Sequence, residues 1–363
     1  MATMIFKPTE RCNSNCLYCY VVKKRNPKTM SYDLLEHVFI NINEYLKHEQ
    51  QERFKILWHG GEPLLLGEEF FLQAIKFQEK HCSDTKHRIF HEIQSNLTLL
   101  NENFLKIFKE MGIKSIGTSF EPISNIRGPG TERNSEYYNK LFFKGINILE
   151  KNSFRWGFIY VVNKRSIGYH HELFNFLSNL KNAKSFSLNP IVIYGEDKDK
   201  IGISPQEYAD FIGAIFTEWW KHRNRYPSIE PFTTYIDYFI NKTTVRNCEE
   251  SGRCNSTHVY IGPDGKASHC GRSGDWEIIS YGNIKERSLI DIMQDEQRKR
   301  FVKRQTILAE GECKNCRFWD YCHGGCPLES YVKHKDFKHK SYKCEGKKIF
   351  LEKYFIPITG VRL

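Results

Sequence analysis

RCNSNCLYCY, residues 11–20, sets cysteines at positions 12, 16 and 19 directly behind a strand-like run, MIFKPT (4–9). Three thiols fall one short of the four ligands of a closed zinc site. Being odd in number, they cannot all pair off as disulfides. Two readings follow. A distant His or Cys completes a zinc site, or the group holds a metal centre with one position left open.

The segments downstream repeat one pattern. Strand-like runs RFKILW (53–58), RIFHEIQ (88–94), KSIGTSF (114–120), FRWGFIYVV (154–162) and KSFSLNPIVI (184–193) alternate with helical patterns. The helical stretches lie near 31–48, 67–80, 101–111, 135–152, 169–181 and 204–222. Ser31 stands where an N-cap is expected, ahead of Leu35, Val38, Phe39 and Ile42 on one helical face. Six β-α units in a row predict an α/β fold, a parallel sheet that is open or rolled into a partial (β/α)6 TIM-type barrel. After about residue 225 the strands shorten, and eight of the 12 cysteines fall between 248 and 344. The domains expected are 1–225, a connector over 226–247, a cysteine-rich domain over 248–347, and a terminal helix or tail over 348–363.

Bulk properties narrow the class. The 363 residues are 40% hydrophobic and 14% aromatic with a mean hydropathy of −0.55, all globular values. The longest apolar runs, such as WGFIYVV at 156–162, are of strand length and well short of a membrane span. MATMIFKPTERC has no apolar core of a signal peptide, so a cytoplasmic location is expected, where thiols stay reduced and bind metal. The net charge of +11 is spread over short clusters such as KKRNPK (23–28) and KHKDFKHK (333–340). That spacing reads as a solvated basic surface rather than a nucleic-acid site.

In a parallel β/α fold, functional groups gather where strands end. The three cysteines follow the first strand, HGGEP (59–63) the second, and Gln94, Ser95 and Asn96 the third. Ser119 and Glu121 end the fourth, Asn163 the fifth and Asn189 the sixth. Singly, such residues are turn and capping groups. Six converging on one face make a candidate site.

CxxxCxxC with an aromatic, Tyr18, before its last cysteine resembles the signature of the radical S-adenosylmethionine (SAM) enzymes. The resemblance implies that Cys12, Cys16 and Cys19 hold a [4Fe-4S] cluster whose fourth iron is chelated by the amino and carboxylate groups of SAM. Reductive cleavage of SAM then yields a 5′-deoxyadenosyl radical that takes a substrate hydrogen. HGGEP matches the family's GGEP motif, in which Gly60 and Gly61 let the backbone approach the methionine moiety and Glu62 meets the SAM ammonium. QSN at 94–96 stands where relatives carry QTN, which assigns Gln94 and Asn96 to ribose or methionine contacts. SFEPISNIRG (119–128) is similar to a stretch whose Ser and Arg bind the SAM carboxylate, here Ser119 and Arg127, with Arg133 competing for the second role. Tyr18 and Asn163 join the expected cofactor contacts. Cys82, in a helical stretch without a partner motif, reads as a small buried hydrophobe.

The C-terminal series, Cys254, Cys270, then Cys313, Cys316, Cys322 and Cys326, and finally Cys344, is similar to the SPASM extension of peptide-modifying radical SAM enzymes. An eighth thiol, Cys248, precedes Cys254 by six positions, as in anaerobic sulfatase-maturating relatives. The resemblance implies two further [4Fe-4S] clusters, one on Cys248, Cys254, Cys270 and Cys326, the other on Cys313, Cys316, Cys322 and Cys344. Such crossing ligands are expected to staple a domain with little apolar core. Two zinc ions on the same thiols are the alternative, and would fit a nucleic-acid-binding protein.

A SPASM-type chain is expected to act on a peptide or protein side chain, which leaves two reactions. The first reading is maturation of a ribosomally made precursor peptide by crosslinking or other C–H functionalisation. The second is oxidation of a sulfatase Cys or Ser to formylglycine. In the relatives that do the latter, an Asp directly follows the cysteine matching Cys270 and serves as base. Here that position is Gly271 and the nearest acid is Asp275, a weaker base candidate. The first strand starts near residue 4, so leader recognition is expected to fall to a separate protein or to docking on the barrel and the SPASM surface. An electron donor such as flavodoxin or ferredoxin completes the expected partners, and no membrane is expected.

Overall fold

The computed structural model describes residues 1–21, 26–122, 125–180, 183–192, 198–245 and 247–362. Residues 23–25 of the KKRNPK cluster and residue 193 of the sixth expected strand lie outside the described residues. In chain order come β1 (Ala2–Phe6), α1 (Tyr32–His48), β2 (Phe54–Trp58), α2 (Glu68–His81), β3 (Ile89–Gln94), α3 (Glu102–Glu110) and β4 (Ser115–Ser119). Then follow α4 (Ser135–Lys151), β5 (Arg155–Val162), α5 (His170–Ser178), β6 (Ala183–Pro190), a helix over Pro205–Lys221, β7 (Ser228–Glu230), β8 (His258–Ile261) and β9 (Ala267–Ser268). The expected β-α alternation is therefore present, an α/β fold built on parallel strands.

The chain packs as two compact units, residues 1–119, 124–156 and 256–298, and residues 120–123, 157–255 and 299–363. The expected boundary near residue 225 is not where they divide. In the first unit the strand order is β4-β3-β2-β1-β8-β9. β1 runs parallel to β2, with Phe6 opposite Trp58, and parallel to β8, with Phe6 opposite Ile261. β8 thus comes from the segment expected in the cysteine-rich domain. Its Val259, Tyr260 and Ile261 are all buried, the pattern of a strand covered on both faces. Cysteine density marked where ligands lie and said nothing about this apolar strand. α1 starts at the expected Ser31, whose Oγ accepts from the Leu34 N–H at 3.3 Å, and buries Leu35, Val38, Phe39 and Ile42. The buried Asn41 accepts from the Leu289 N–H at 2.9 Å, which docks the 281–293 stretch on α1. Cys82 is fully buried, as expected of a small hydrophobe.

In the second unit β6 pairs with β7 in parallel, Ser187 opposite Glu230, so the expected connector carries a strand. Ser204 and Glu207 form a capping box at the start of the helix Pro205–Lys221. From Cys344 to Thr359 the chain is helical, where a terminal helix or tail is expected from residue 348. This helix lies against Pro205–Lys221, where a Cβ on Gly213 would come within 2.5 Å of the Tyr354 ring. Between them sits an aromatic core. Phe216 lies 5.0 Å from Phe232 and 5.5 Å from Phe350 by ring centroids, and Tyr321 lies 5.1 Å from Phe239 and 5.4 Å from Tyr235. The expectation of little apolar core is corrected, because the aromatic residues of 205–240 and 318–355 are separated in sequence and meet only in three dimensions. Phe216→Ala is expected to destabilise the protein by about 3–5 kcal/mol through the cavity it leaves, read as a lower urea midpoint at unchanged m.

Candidate functional site

The loop after β1 and the loop after β2 lie side by side because β1 and β2 are parallel neighbours. Gly61 N–H donates to the Thr9 carbonyl at 2.9 Å and Glu62 N–H to the Arg11 carbonyl at 2.8 Å. A Cβ on Gly60 would stand 2.4 Å from the Thr9 oxygen, and one on Gly61 would stand 2.0 Å from the Arg11 oxygen. The crowding that both glycines relieve is therefore with the chain's own backbone, one residue ahead of Cys12. Leu17 N–H donates to Ile126 O and Asn15 N–H to Gly128 O at 2.9 and 2.8 Å, which ties the cysteine loop to residues 126–128.

Cys16 is buried, and Cys12 and Cys19 are half-buried. Burial pushes the Cys12 thiol up to about 12, helped by the negative charges of Glu62, Cys16 and Cys19 and opposed by the Ser14 N–H. The three thiols and Glu62 thus share one neighbourhood. Glu62 is 1% exposed and accepts from Asn96 N–H at 2.7 Å, Ser95 Oγ at 2.8 Å and Leu64 N–H at 3.0 Å. Burial still raises its carboxyl to about 7, since those neutral donors offset only part of the desolvation. Among the described residues no cation pairs with it. A buried carboxylate beside the Cys12 thiol, whose ionisation burial disfavours, fits a cationic metal core and a cationic ligand.

Other expected contacts are distributed less simply. Gln94 Nε2 donates to Ser119 Oγ at 3.2 Å, so these two meet at the ends of β3 and β4. Arg127 is buried, donates to the Tyr18 hydroxyl and stacks 5.5 Å from its ring centroid, while Arg133 is half-buried and turns to Thr131 O. The Asn96 amide donates to Asn13 Oδ1 at 2.8 Å and accepts from Thr98, which spends its polar atoms on holding the cysteine loop. Asn163, in the second unit, caps the turn at Lys164–Ser166, with Oδ1 accepting from Arg165 N–H and Nδ2 donating to Val161 O.

Asp275 meets a residue that sequence reasoning missed. Lys7, at the end of β1, is 2% exposed at its side chain and forms an ion pair with Asp275. His59 lies nearby. Burial and the Lys7 charge hold it down to about 4, against the pull of Asp275, and its Nδ1 accepts from Gly60 N–H at 2.8 Å. The one available signal was a lysine closing an apolar strand. Asp275 also lines a cavity of about 480 Å³ with Glu10, Tyr20, Lys28, Tyr260 and Asp264. Cys270 starts the short helix Gly271–Asp275, so Asp275 stands four residues, or one turn, beyond Gly271.

In the second unit Cys313, Cys316, Cys322 and Cys344 line one pocket together, the set expected to share a cluster. Cys248 lines a cavity of about 210 Å³ with Asn189, Tyr208, Glu249 and Lys347. Around these thiols runs a chain of buried and half-buried ion pairs. Lys347 meets Glu250 and Glu249, and Lys343 meets Glu329 and Glu249. They link residues flanking Cys248, Cys326 and Cys344 and were invisible to motif reading.

Residues 6–177 match the family model of the radical SAM superfamily, and residues 248–317 match that of the SPASM iron–sulfur cluster-binding domain. The chain is 26% identical to a serine-type anaerobic sulfatase-maturating enzyme of Bacteroides thetaiotaomicron, over 92% of this chain and 84% of the relative. It is 25% identical to a cysteine-type enzyme of Clostridium novyi, over 99% and 96%. Among solved structures, native anSMEcpe with bound AdoMet and Cp18Cys peptide superposes with a TM-score of 0.84 at 21% identity, over 99% and 98% of the two chains. Streptococcus suis SuiB bound to precursor peptide SuiA gives 0.58 at 16%, over 94% and 75%. Gly61→Ala, which forces the Arg11 carbonyl away from Cys12, is expected to cut iron retained per chain severalfold while far-UV circular dichroism stays unchanged.

Proposed function

Because the chain belongs to the radical SAM family, carries a SPASM domain and uses SAM and multiple [4Fe-4S] clusters, we propose that it oxidises a Cys or Ser side chain of a sulfatase to formylglycine. The observation that carries this reading is similarity to both serine-type and cysteine-type sulfatase-maturating enzymes along nearly the whole chain. It supports this reaction over maturation of a ribosomal precursor peptide, the first of the two expectations. When bound, the cofactors supply a radical able to take hydrogen from an unactivated carbon.

The chain's own residues then hold the reactants and move the proton. Cys12, Cys16 and Cys19 would hold the SAM-binding cluster, Glu62 would meet the SAM ammonium, and the eight later cysteines would hold two auxiliary clusters able to accept electrons. Asp275 is the base. Lys7 pairs with it and fixes its direction, and one helical turn brings it to the side of the chain where position 271 would present an acid. Gly271 itself favours the precursor-peptide reading, in which no acid at that position is required.

Anaerobic incubation of the iron-loaded protein with dithionite, SAM and a sulfatase peptide carrying Cys or Ser tests the choice. The expected result is a hydrazine-reactive aldehyde on the peptide alongside 5′-deoxyadenosine. Deoxyadenosine without aldehyde on either peptide would overturn it. Asp275→Asn is expected to lower aldehyde formation by about 10²-fold or more while SAM cleavage continues. A cation at Glu62 requires an ionised carboxylate, whose proton is held up to about pH 7. SAM affinity, by equilibrium dialysis, should therefore rise about tenfold per unit between pH 5 and 6, level off above 7, and lose this slope in Glu62→Gln.

A further inference from the structure

Arg304 lies in the helix Lys299–Glu310 of the second unit and is 4% exposed. Among the described residues no carboxylate pairs with it. Its Nη2 donates to the carbonyls of Gly324 and His339, both at 2.9 Å, and its Nη1 reaches the His323 carbonyl at 3.5 Å. Its Nε is buried without an acceptor in the protein. A charge taken out of water without a counter-ion is costly, and an orphaned donor adds to that cost.

Four cysteines lie within electrostatic reach of the guanidinium. Burial pulls its pKa down, and the thiols of Cys326, Cys322, Cys254 and Cys313 push it back up. Gly324, whose carbonyl it holds, lines the pocket shared by Cys313, Cys316, Cys322 and Cys344. Cys254 and Cys326 belong to one expected auxiliary cluster, and Cys313 and Cys322 to the other. Two further buried cations stand among these cysteines, but Lys343 is matched by Glu329 and Lys347 by Glu250. Arg304 alone of these three cations has no matching carboxylate.

We propose that Arg304 is a counter-ion shared by both auxiliary clusters, setting their reduction potentials with its charge and donating from Nε to sulfur. The inference rests on the reading that these cysteines ligate iron–sulfur clusters. Each cluster takes up one electron when reduced, onto a centre that its thiolates already make negative. A fixed cation in a poorly screened site stabilises the added electron and raises the potential. Its action is on the clusters, so Arg304 is a positioning residue and touches no substrate.

Arg304→Gln removes the charge and keeps a donor, whereas Arg304→Lys keeps the charge. Iron and sulfide analysis comes first, followed by a dithionite titration monitored by electron paramagnetic resonance. Arg304→Gln should load like the parent, with both auxiliary couples shifted at least tenfold toward the oxidised form, which is 59 mV for one electron. Arg304→Lys should stay within about threefold. Unchanged couples in Arg304→Gln overturn the proposal, as does a lysine variant that shifts equally, which assigns the role to hydrogen bonds. Failure of Arg304→Gln to load iron also overturns it, placing Arg304 in the framework of the domain. Absence of iron from the parent protein would instead sink the underlying cluster reading.

Discussion

Two backbone hydrogen bonds, from Gly61 to Thr9 and from Glu62 to Arg11, join the loops behind β1 and β2. Everything about the open cysteine site depends on them. They exist because neither glycine has a Cβ in a gap that leaves only 2.0 Å to the Arg11 oxygen. Their effect is to bury a carboxylate beside three thiols. Burial raises both the Cys12 thiol and the Glu62 carboxyl, and the charges of Glu62, Cys16 and Cys19 raise Cys12 further. On the proposed reading, a metal core and an ammonium-bearing ligand offset that cost, so the unfavourable electrostatics of the free chain become affinity for what it binds.

The second unit meets the same constraint by a different route. Its thiols are surrounded by charges that are largely paired within the protein, Lys343 with Glu329 and Lys347 with Glu250. Those pairs neutralise one another and serve to hold the loops around Cys326 and Cys344 in place. The aromatic core of Phe216, Phe232, Phe350 and their neighbours supplies most of the packing. The ligand loops are therefore attached to a framework with its own stabilisation.

Sequence alone located the β-α order, the Ser31 cap and the cysteine and GGEP motifs, because each is a local pattern with a local cause. Groups defined by long-range packing escaped it. Lys7 and Asp275 are 268 positions apart, and Lys347 and Glu250 are 97 apart. β8 was hidden because its role, pairing with β1, depends on a partner more than 250 residues earlier. Asn96 and Asn163, polar residues at strand ends, are expected at the ligand, and in the structure their amides also bond Asn13, Thr98, Val161 and Arg165.

The glycine after Cys270 need not mean that the base is missing. Gly274 N–H donates to the Cys270 carbonyl at 2.9 Å, so the chain turns helical at once. A residue four places on then projects from the same side as position 271. Helical geometry alone would leave that carboxylate free to swing toward water. The Lys7 ammonium, buried directly after β1, holds the carboxylate in an ion pair that is costly to break. An acid displaced by one turn and held by a lysine can cover the ground of an acid placed directly after the cysteine. On the proposed reading, the glycine at 271 moves the base within the site without removing it.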